Sequence, residues 1–392
     1  MSLSQAVILA GGLGTRLQPF TLDNPKPMIE IEGVPFLEHL IIQVKSWGID
    51  NIVMLLGYLP EKIEDYFGDG RRFGVNIEYS VTPIEYDTGL RIKNAYELFD
   101  DEFILLYCDN YCPIDFRKAY EQFSKSDNMI QLTVYSNKDG YTKSNLLVED
   151  GQVVLYDKKR VASGLQGVDI GYIFLKKQVL SVLSDRNVNF ESEVYPKILE
   201  KGRLGAYVTE HRYYSIGSWE RIELTKEFFK PKKVAFLDRD GTLNVRPPRA
   251  CYIERKEDFV WLPKAKEAVA LLKQKGYKIY LITNQPGIAR GNITWDDLNE
   301  INNKMLHDLD EINVRLDGIY ICPHGWDEGC DCRKPKPGML YNAQKDHSLN
   351  LTQCVLIGDD ERDIEAGNAA GLAACYMINE RMSLWDIVDN YL

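Results

Sequence analysis

One pattern occurs twice in this sequence and limits the fold more than any other feature: a short apolar run that ends directly in a motif of glycines or acids. The first run, Gln5–Ala10, leads into glycines, and the second, Val234–Leu237, leads into Asp238-Arg239-Asp240. After each run, strand-like segments alternate with stretches of helical periodicity, which predicts an α/β fold with a mostly parallel sheet. We therefore expect two α/β domains, at residues 1–229 and 232–392, joined by a basic, proline-bearing segment.

Apolar spacing also places individual segments within these domains. Strands are predicted at residues 5–10, 51–56, 103–107, 234–237, 278–283, 318–322 and 354–357. Helices are predicted at residues 35–47, 219–229, 265–275 and 295–309. The two series do not look like copies of each other, so they predict two different domains rather than a repeat.

Charge and hydropathy exclude several classes of function. The 392 residues carry a formal net charge of -11, whereas nucleic acids and anionic membranes bind basic surfaces. No stretch approaches the roughly 18–20 apolar residues of a membrane span, and the first residues lack the basic start of a secretory signal. We therefore expect a cytoplasmic protein with no nucleic-acid or membrane partner. The sequence does not predict its oligomeric state.

The segment after the first strand has the composition of a phosphate-binding loop. Its successive candidate nucleotide ligands are Gly11, Gly12, Gly14, Thr15 and Arg16. Glycines allow backbone N–H groups to wrap a phosphate chain, and Arg16 adds a planar, permanently charged fork. Ten residues after Arg16, prolines on both sides stiffen the loop that presents Lys26. We expect this loop and Lys26 to bind a nucleotide.

With these motifs, residues 5 to about 228 resemble the sugar-1-phosphate nucleotidyltransferases. The resemblance implies a Rossmann-like sheet domain in which a sugar 1-phosphate oxygen attacks the α-phosphate of a nucleoside triphosphate and pyrophosphate leaves. It assigns catalysis to positioning and to charge neutralisation by Arg16, Lys26 and Mg²⁺, without a covalent enzyme intermediate. The implied partners are a sugar phosphate and a nucleoside triphosphate.

The same resemblance extends to single positions further along the chain. It implies that Asp109 binds Mg²⁺ and that Thr88 and Gly89 contact the nucleotide. The sugar side of the site would be formed by Lys159, Asp169 and Glu191. One position departs from the family: Ser215 stands where a second magnesium-binding aspartate is usual, and serine is a weak, neutral ligand. A domain that binds a sugar nucleotide without transferring it is therefore an open alternative.

The second domain carries acids, hydroxyls and cations at or after its strand ends. Asp238 and Asp240 are two residues apart after a buried strand, so both can face a pocket at its carboxyl end. Carboxylates this close require a cation or different protonation states. Further polar residues follow in the order Thr283, Asn284, Arg333, Lys334, Asp359 and Asp363. The pattern indicates one carboxylate nucleophile and one proton donor in a shared site.

Residues 232 to about 380 resemble the haloacid-dehalogenase-like phosphatases, which also have a Rossmann-like fold. The resemblance implies that Asp238 attacks phosphorus to form an aspartyl-phosphate, while Asp240 protonates the leaving oxygen and then activates water. Thr283 and Lys334 would hold the phosphoryl oxygens. The resemblance further implies that Mg²⁺ binds to Asp238, to the backbone carbonyl of Asp240 and to Asp359. Asp363 would support the loop, and Asn284 and Arg333 would bind the substrate.

A cluster of cysteines and a histidine precedes the Arg333-Lys334 pair. Cys322, His324, Cys330 and Cys332 supply four soft ligands, which suit a tetrahedral Zn²⁺. Four protein ligands leave no open position, so we expect a structural zinc that fixes the loop. Residues 283–291 and 322–335 resemble D-glycero-D-manno-heptose 1,7-bisphosphate 7-phosphatases, with histidinol-phosphate phosphatases as near relatives. Asp360 departs from that subfamily, which often has lysine there.

Together, the two resemblances imply a bifunctional enzyme of nucleotide-sugar biosynthesis. The phosphatase would remove the 7-phosphate of heptose 1,7-bisphosphate, and the transferase would convert heptose 1-phosphate to a nucleotide-heptose, with GTP favoured. CTP is the alternative nucleotide, because a string like the one containing Arg91 also occurs in cytidylyltransferases. Another sugar phosphate, and an active phosphatase joined to an inactive transferase, are the remaining alternatives.

Overall fold

The computed structural model of the protein describes residues 3–248 and 251–392. These residues form two compact units that separate between Phe229 and Lys230. Each unit is an α/β structure whose main sheet is covered on both faces by helices. No helix among the described residues is long and apolar enough to cross a membrane.

The first unit begins with a buried strand and ends with a helix. Its strands are β1 (Gln5–Ala10), β2 (Glu30–Ile31), β3 (Val34–Pro35), β4 (Asn51–Leu56), β5 (Asn76–Val81), β6 (Glu102–Tyr107), β7 (Asn110–Tyr111), β8 (Ile130–Tyr135), β9 (Leu146–Glu149), β10 (Gln152–Tyr156), β11 (Val168–Lys176), β12 (Leu204–Thr209) and β13 (Tyr214–Ser215). Its α-helices are α1 (Phe36–Ser46), α2 (Pro60–Phe67), α3 (Thr88–Asn94), α4 (Phe116–Ser124), α5 (Phe190–Leu199) and α6 (Trp219–Phe229).

The main sheet of the first unit is mixed, in the order β5-β4-β1-β6-β11-β8-β12-β10-β9. Strands β5, β4, β1 and β6 are parallel, but β11 runs antiparallel to both of its neighbours, and so does β10. The expectation of a mostly parallel sheet is therefore confirmed for strand direction, because only β11 and β10 run against the other strands, but these two strands make the sheet mixed. Parallel neighbours need a long crossover, whereas β9 and β10 are joined directly by Asp150 and Gly151, both with positive φ, as in a tight hairpin turn.

The second unit has a fully parallel sheet in the order β16-β15-β14-β17-β18. Its strands are β14 (Val234–Leu237), β15 (Lys278–Asn284), β16 (Gly318–Cys322), β17 (Cys354–Gly358) and β18 (Ala374–Met377). Its α-helices are α7 (Ala265–Gln274), α8 (Trp295–Asp310), α9 (Gly338–His347), α10 (Glu361–Ala369) and α11 (Leu384–Tyr391). The segments predicted from apolar spacing in both units are confirmed, and each end differs by at most one residue.

Central strands bury both of their faces, which explains their continuous apolar sequence. In β14, Val234 and Phe236 enter one core while Ala235 and Leu237 enter the other. The side chains of β1 divide in the same way between the two cores of the first unit. Since a buried parallel strand leaves only its end available to ligands, the polar motif that follows each strand lies at the sheet edge where α/β proteins bind them.

Candidate active sites

The glycine-rich loop after β1 lines a cavity of about 360 Å³ in the first unit. Gly14 has a φ of 61°, and a Cβ there would lie 2.9 Å from Cβ of Lys26, so only glycine allows the two segments to approach this closely. Nζ of Lys26 lies 2.6 Å from Oδ2 of Asp109. The predicted residues that line the cavity are Gly11, Gly12, Gly14, Thr15, Arg16, Lys26, Thr88 and Asp109.

Thr88 and Gly89 join the wall of this cavity to the start of α5. The Thr88 hydroxyl accepts a hydrogen bond from the Phe190 N–H at 2.9 Å. The Gly89 N–H donates to the Val188 carbonyl at 3.0 Å, and a Cβ at this glycine would lie 2.6 Å from the same oxygen. These contacts connect the nucleotide-side residues to the segment that carries Glu191.

The predicted sugar-side acids have buried and charged partners. Oδ2 of Asp169 accepts a hydrogen bond from the Tyr195 hydroxyl at 3.3 Å. Burial, reinforced by the charge of Glu191, raises the pKa of Asp169 to about 7. Lys158 forms an ion pair with Glu191, at 2.7 Å. Lys158 and the neighbouring Lys159 are both exposed, and the contact of Lys159 with the sugar phosphate stays a prediction.

Ser215, the departure from the transferase pattern, lies next to the proposed magnesium ligand. Strand β13 pairs with β7 so that Ser215 is opposite Asn110, and the Ile216 N–H donates to the Asp109 carbonyl at 3.0 Å. The backbone that carries Ser215 is thus located beside Asp109 rather than in a remote turn.

Arg91, whose role the sequence left open, is a buried cation in the wall of the same cavity. Its guanidinium donates to the carbonyl oxygens of Leu56 and Tyr86 and to the Thr82 hydroxyl. A Cβ at Gly11 would lie 2.5 Å from Cζ of Arg91. Arg91 therefore supports the backbone around the glycine loop, and its contacts give no preference between GTP and CTP.

The second site is a cavity of about 770 Å³ into which the polar ends of β14, β15 and β17 open. Nζ of Lys334 lies 2.6 Å from Oδ1 of Asp238 and 2.5 Å from Oδ1 of Asp363. Burial raises the pKa of Asp238, and Lys334 only partly opposes it. Burial lowers the pKa of Lys334, but the two carboxylates outweigh it and raise the pKa above its ordinary value. The lysine is therefore a buried charge held between two acids.

The carboxylate of Asp240 is held by donors from three side chains. Arg239 donates at 3.0 Å, Asn244 at 3.0 Å and Gln285 at 2.8 Å. Burial raises the pKa of Asp240, but these donors and the charge of Arg239 outweigh it and lower the pKa below its ordinary value. Gln285 also donates to the Thr283 hydroxyl at 2.9 Å, so one amide links two of the predicted catalytic residues.

Two predicted substrate ligands also support the loop that carries Lys334. The Asn284 side chain donates to the Lys334 carbonyl and accepts from the Lys334 N–H, both at 3.1 Å. Nη1 of Arg333 donates to the His324 carbonyl at 3.2 Å. Asn284 and Arg333 both line the cavity, so each can contact a ligand in it while it supports the loop.

Three carboxylates converge at the end of β14, and one of them belongs to the predicted nucleophile Asp238. Oxygen atoms of Asp238, Asp359 and Asp363 lie within 4.8 Å of one another, and oxygen donors at this spacing suit Mg²⁺. Gly241, with a φ of 95°, makes the approach possible, because a Cβ there would overlap the Asp359 carboxylate. The structure thus brings together the predicted ligands Asp238 and Asp359, and it adds Asp363, which the sequence analysis expected only to support the loop.

The predicted cysteine and histidine cluster is also assembled. Sγ of Cys322 is 3.6 Å from Nδ1 of His324 and 3.7 Å from Sγ of Cys330. Sγ of Cys332 is 3.2 Å from Nδ1 of His324 and 3.7 Å from Sγ of Cys330. With Zn–S bonds of about 2.3 Å, two sulfurs at the corners of a tetrahedron are separated by about 3.8 Å. The four donors therefore fit one tetrahedral metal ion.

Some residues of the phosphatase site were missed from the sequence. Arg239 is fully buried and, besides Asp240, contacts Asn302 at 3.1 Å. The sequence did contain a signal for Arg239, because this residue lies between Asp238 and Asp240. A buried arginine needs a carboxylate or an amide as its partner. Asn302, on α8, has no such local signal, since only tertiary structure brings it to Arg239.

Comparisons with known proteins agree with this division. A family model described as Nucleotidyl transferase matches residues 5–230, and one described as Polynucleotide kinase 3 phosphatase matches residues 233–378. The fold and the two sites therefore define a nucleotidyltransferase unit followed by a haloacid-dehalogenase-like phosphatase unit.

The second unit is similar to D-glycero-beta-D-manno-heptose-1,7-bisphosphate 7-phosphatase of Helicobacter pylori, with 43% identity over 136 residues, which are 34% of this chain and 77% of that protein. It is 37% identical over 153 residues to the corresponding alpha-anomer phosphatase of Photorhabdus laumondii, covering 37% of this chain and 82% of that protein. The first unit matches the crystal structure of HddC from Yersinia pseudotuberculosis with a TM-score of 0.50 and 29% identity, covering 58% of this chain and 100% of that chain. The chain belongs to the nucleotidyl transferase family, and its second unit belongs to the family of the heptose-1,7-bisphosphate 7-phosphatases.

Proposed function

We propose that this protein removes the 7-phosphate of D-glycero-D-manno-heptose 1,7-bisphosphate and transfers GMP from GTP to the resulting heptose 1-phosphate, giving GDP-heptose and pyrophosphate. The observation that carries the proposal is the occurrence of two phosphate-handling centres in one chain. One is the Asp238–Lys334 pair, in a unit similar to heptose bisphosphate phosphatases. The other is the Lys26–Asp109 pair beside the glycine loop.

In the phosphatase, the first step is attack of an Asp238 oxygen on phosphorus, which forms an aspartyl-phosphate and releases the sugar oxygen. Lys334, already 2.6 Å from Asp238, neutralises the phosphoryl oxygens, and Thr283 offers its hydroxyl to them. Mg²⁺, held by the Asp238 and Asp359 carboxylates, would supply further positive charge at the same oxygens.

Asp240 handles the protons of both steps. Its three donors and the charge of Arg239 lower its pKa in the free enzyme, so Asp240 takes up a proton from water as the phosphate binds beside it and donates this proton to the leaving sugar oxygen. After that proton has left, Asp240 is again a carboxylate. It then removes a proton from the water that hydrolyses the aspartyl-phosphate.

In the transferase, an oxygen of the sugar 1-phosphate displaces pyrophosphate from the α-phosphorus of GTP. Arg16 and Lys26 line the cavity and neutralise the charge that develops on the triphosphate. Asp109 would hold Mg²⁺, which would supply positive charge at the triphosphate, and Lys26 would then be available to phosphate oxygens. GTP is supported by the HddC structure, 29% identical to this chain, which was also crystallised with GMP-PN.

Zinc is proposed as a structural ion at Cys322, His324, Cys330 and Cys332. Support comes from the tetrahedral spacing of the donors and from Arg333, whose hydrogen bond to the His324 carbonyl ties the cluster to the catalytic loop. The ion would hold that loop at the edge of the cavity and take no part in phosphoryl transfer.

One observation favours a second candidate for the first unit, a sugar-nucleotide binding module without transferase activity. Ser215 adds no charge beside Asp109, so Mg²⁺ would have fewer anionic protein ligands than in family members with a second aspartate. Under this alternative the protein releases phosphate from the bisphosphate but produces no pyrophosphate.

Two single variants test the division of labour. We expect Asp238→Asn to reduce phosphate release by at least about 1,000-fold while pyrophosphate release from GTP and heptose 1-phosphate is unchanged, because the carboxylate nucleophile is lost. Lys26→Met should reduce pyrophosphate release while phosphate release from the bisphosphate is unchanged. Asp310→Asn and Lys45→Met, which change exposed ion pairs, are the matched controls. Loss of both activities in either catalytic variant would contradict two independent centres.

A further inference from the structure

The mouth of the phosphatase cavity contains two arginines that share one acid. Nη2 of Arg246 lies 2.7 Å from Oδ2 of Asp360, and Nε of Arg362 lies 2.8 Å from Oδ1 of the same carboxylate. Nη2 of Arg362 also contacts Oδ2, at 2.9 Å. All three residues line the cavity that contains Asp238. Two guanidinium groups therefore meet at one carboxylate, that of Asp360.

The shared acid is fixed rather than mobile. Asp360 is the N-cap of α10, where its side chain accepts a hydrogen bond from the Arg362 N–H at 3.1 Å. Asp363 completes a capping box by accepting from the Asp360 N–H at 3.2 Å. Because Asp363 also contacts Lys334, the arginine pair is connected to the catalytic lysine by one helix turn.

Arg246 has a second acidic partner that the reaction uses. Nη1 of Arg246 lies 3.0 Å from Oδ2 of Asp359, one of the proposed Mg²⁺ ligands. A metal ion at Asp359 competes with the guanidinium for that carboxylate, which leaves Nη1 free to donate to another anion. The side chain of Arg246 is 48% exposed, so its outer donors can be reached by a ligand in the cavity.

We propose that Arg246 and Arg362, anchored by Asp360, form the subsite that binds the second phosphate of a sugar bisphosphate while its first phosphate lies at Asp238. Arginine forks match phosphate oxygens in a bidentate manner, and the first turn of α10 adds its partial positive charge. A cavity of about 770 Å³ has room for a sugar with two phosphates. This inference rests on the proposed phosphatase function and explains how the site distinguishes a bisphosphate from a monophosphate.

The test compares steady-state kinetics on heptose 1,7-bisphosphate and on heptose 7-phosphate, which carries only the phosphate that is removed. We expect Arg246→Ala and Arg362→Ala each to raise KM for the bisphosphate by about tenfold or more, with little change in KM for the monophosphate, because a hydrogen-bonded charge is lost only in the first case. Arg246→Lys should recover part of the loss. Arg315→Ala, which removes an exposed pair with Asp310 outside the cavity, is the control.

A binding measurement provides a readout besides activity. Calorimetric titration with heptose 1-phosphate, which carries only the distal phosphate and is also the proposed ligand of the first unit, should show weaker binding at one of two sites in both arginine variants, while titration with inorganic phosphate should be unchanged. Equal increases in KM for the two substrates would overturn the proposal. A selective increase in Arg290→Ala, another arginine that lines the cavity, but not in these variants would overturn it as well. If no heptose phosphate is hydrolysed, the proposed substrate is wrong. The same comparison with another sugar bisphosphate and its monophosphate then still tests the subsite.

Discussion

At the scale of single residues, Gly241 shows how closely the backbone approaches the catalytic acids. Its φ of 95° and the carboxylate of Asp359 both exclude a side chain. We expect Gly241→Ala to cost about 1–2 kcal/mol of unfolding free energy from the left-handed backbone and, in addition, to displace Asp359 and abolish most phosphate release. Urea unfolding and a phosphate assay measure the two effects.

Gly276 provides the matched control for this prediction. It has a φ of 83°, but a Cβ there meets no atom within 4 Å. Gly276→Ala should therefore show a similar loss of stability with normal phosphatase activity. If Gly241→Ala remained fully active, the close approach of Gly241 to Asp359 would not be needed for the reaction.

Ser215 allows the magnesium question in the transferase to be tested directly. Since Ser215 lies beside Asp109, Ser215→Asp should add a carboxylate ligand and lower the Mg²⁺ concentration for half-maximal pyrophosphate release several-fold. Ser218→Asp is the control, because it adds the same charge three residues along the chain. An unchanged Mg²⁺ requirement in a folded Ser215→Asp protein would show that position 215 does not face the metal.

At the scale of elements, the cysteine and histidine cluster connects β16 to the loop that carries Arg333 and Lys334. We expect the purified protein to contain one zinc per chain. Removal of zinc by a chelator, followed by assay in excess Mg²⁺, should lower phosphatase activity and thermal stability while pyrophosphate release is retained, because the cluster supports only the second unit. Metal analysis should find less zinc in Cys330→Ser but not in Cys251→Ser, whose cysteine is outside the cluster. A zinc-free, fully active protein would contradict this role.

The elements also show what the sequence could and could not predict. Strands buried on both faces have continuous apolar sequences, so β1, β4 and β14 were placed at their observed bounds. Hairpin strands such as β9 and β10 have shorter and more exposed patterns, and the Asp150-Gly151 turn that signals their antiparallel pairing was not used. The antiparallel β9–β10 hairpin was missed for that reason.

The candidate sites were predictable where chemistry lies within a local motif. The glycine loop, Asp238 with Asp240, and the cysteine cluster are each defined by residues close together in sequence. Contacts between distant segments were not predictable, because Gln285 reaches Asp240 and Arg246 reaches Asp360 only after the sheet has formed. Such supporting contacts are set by tertiary structure and leave no periodic pattern.

At the scale of the whole molecule, each unit has its own sheet, cores and phosphate site. The chemistry links them in one direction, since removal of the 7-phosphate produces the sugar 1-phosphate that a nucleotidyltransferase uses. The phosphatase relatives include enzymes named for the beta anomer and for the alpha anomer, so the phosphatase similarity alone does not select the anomer. Under the proposed function, the nucleotide and the anomer accepted by the transferase decide which nucleotide sugar leaves the enzyme.

The central claim is tested most directly by supplying the protein with Mg²⁺, GTP and each anomer of heptose 1,7-bisphosphate, and by following phosphate, pyrophosphate and product mass. The account predicts release of phosphate and pyrophosphate and the mass of GDP-heptose from one anomer, with CTP, ATP, UTP and dTTP inactive. Phosphate without pyrophosphate for any nucleotide and either anomer would contradict the bifunctional account and support a binding module in the first unit.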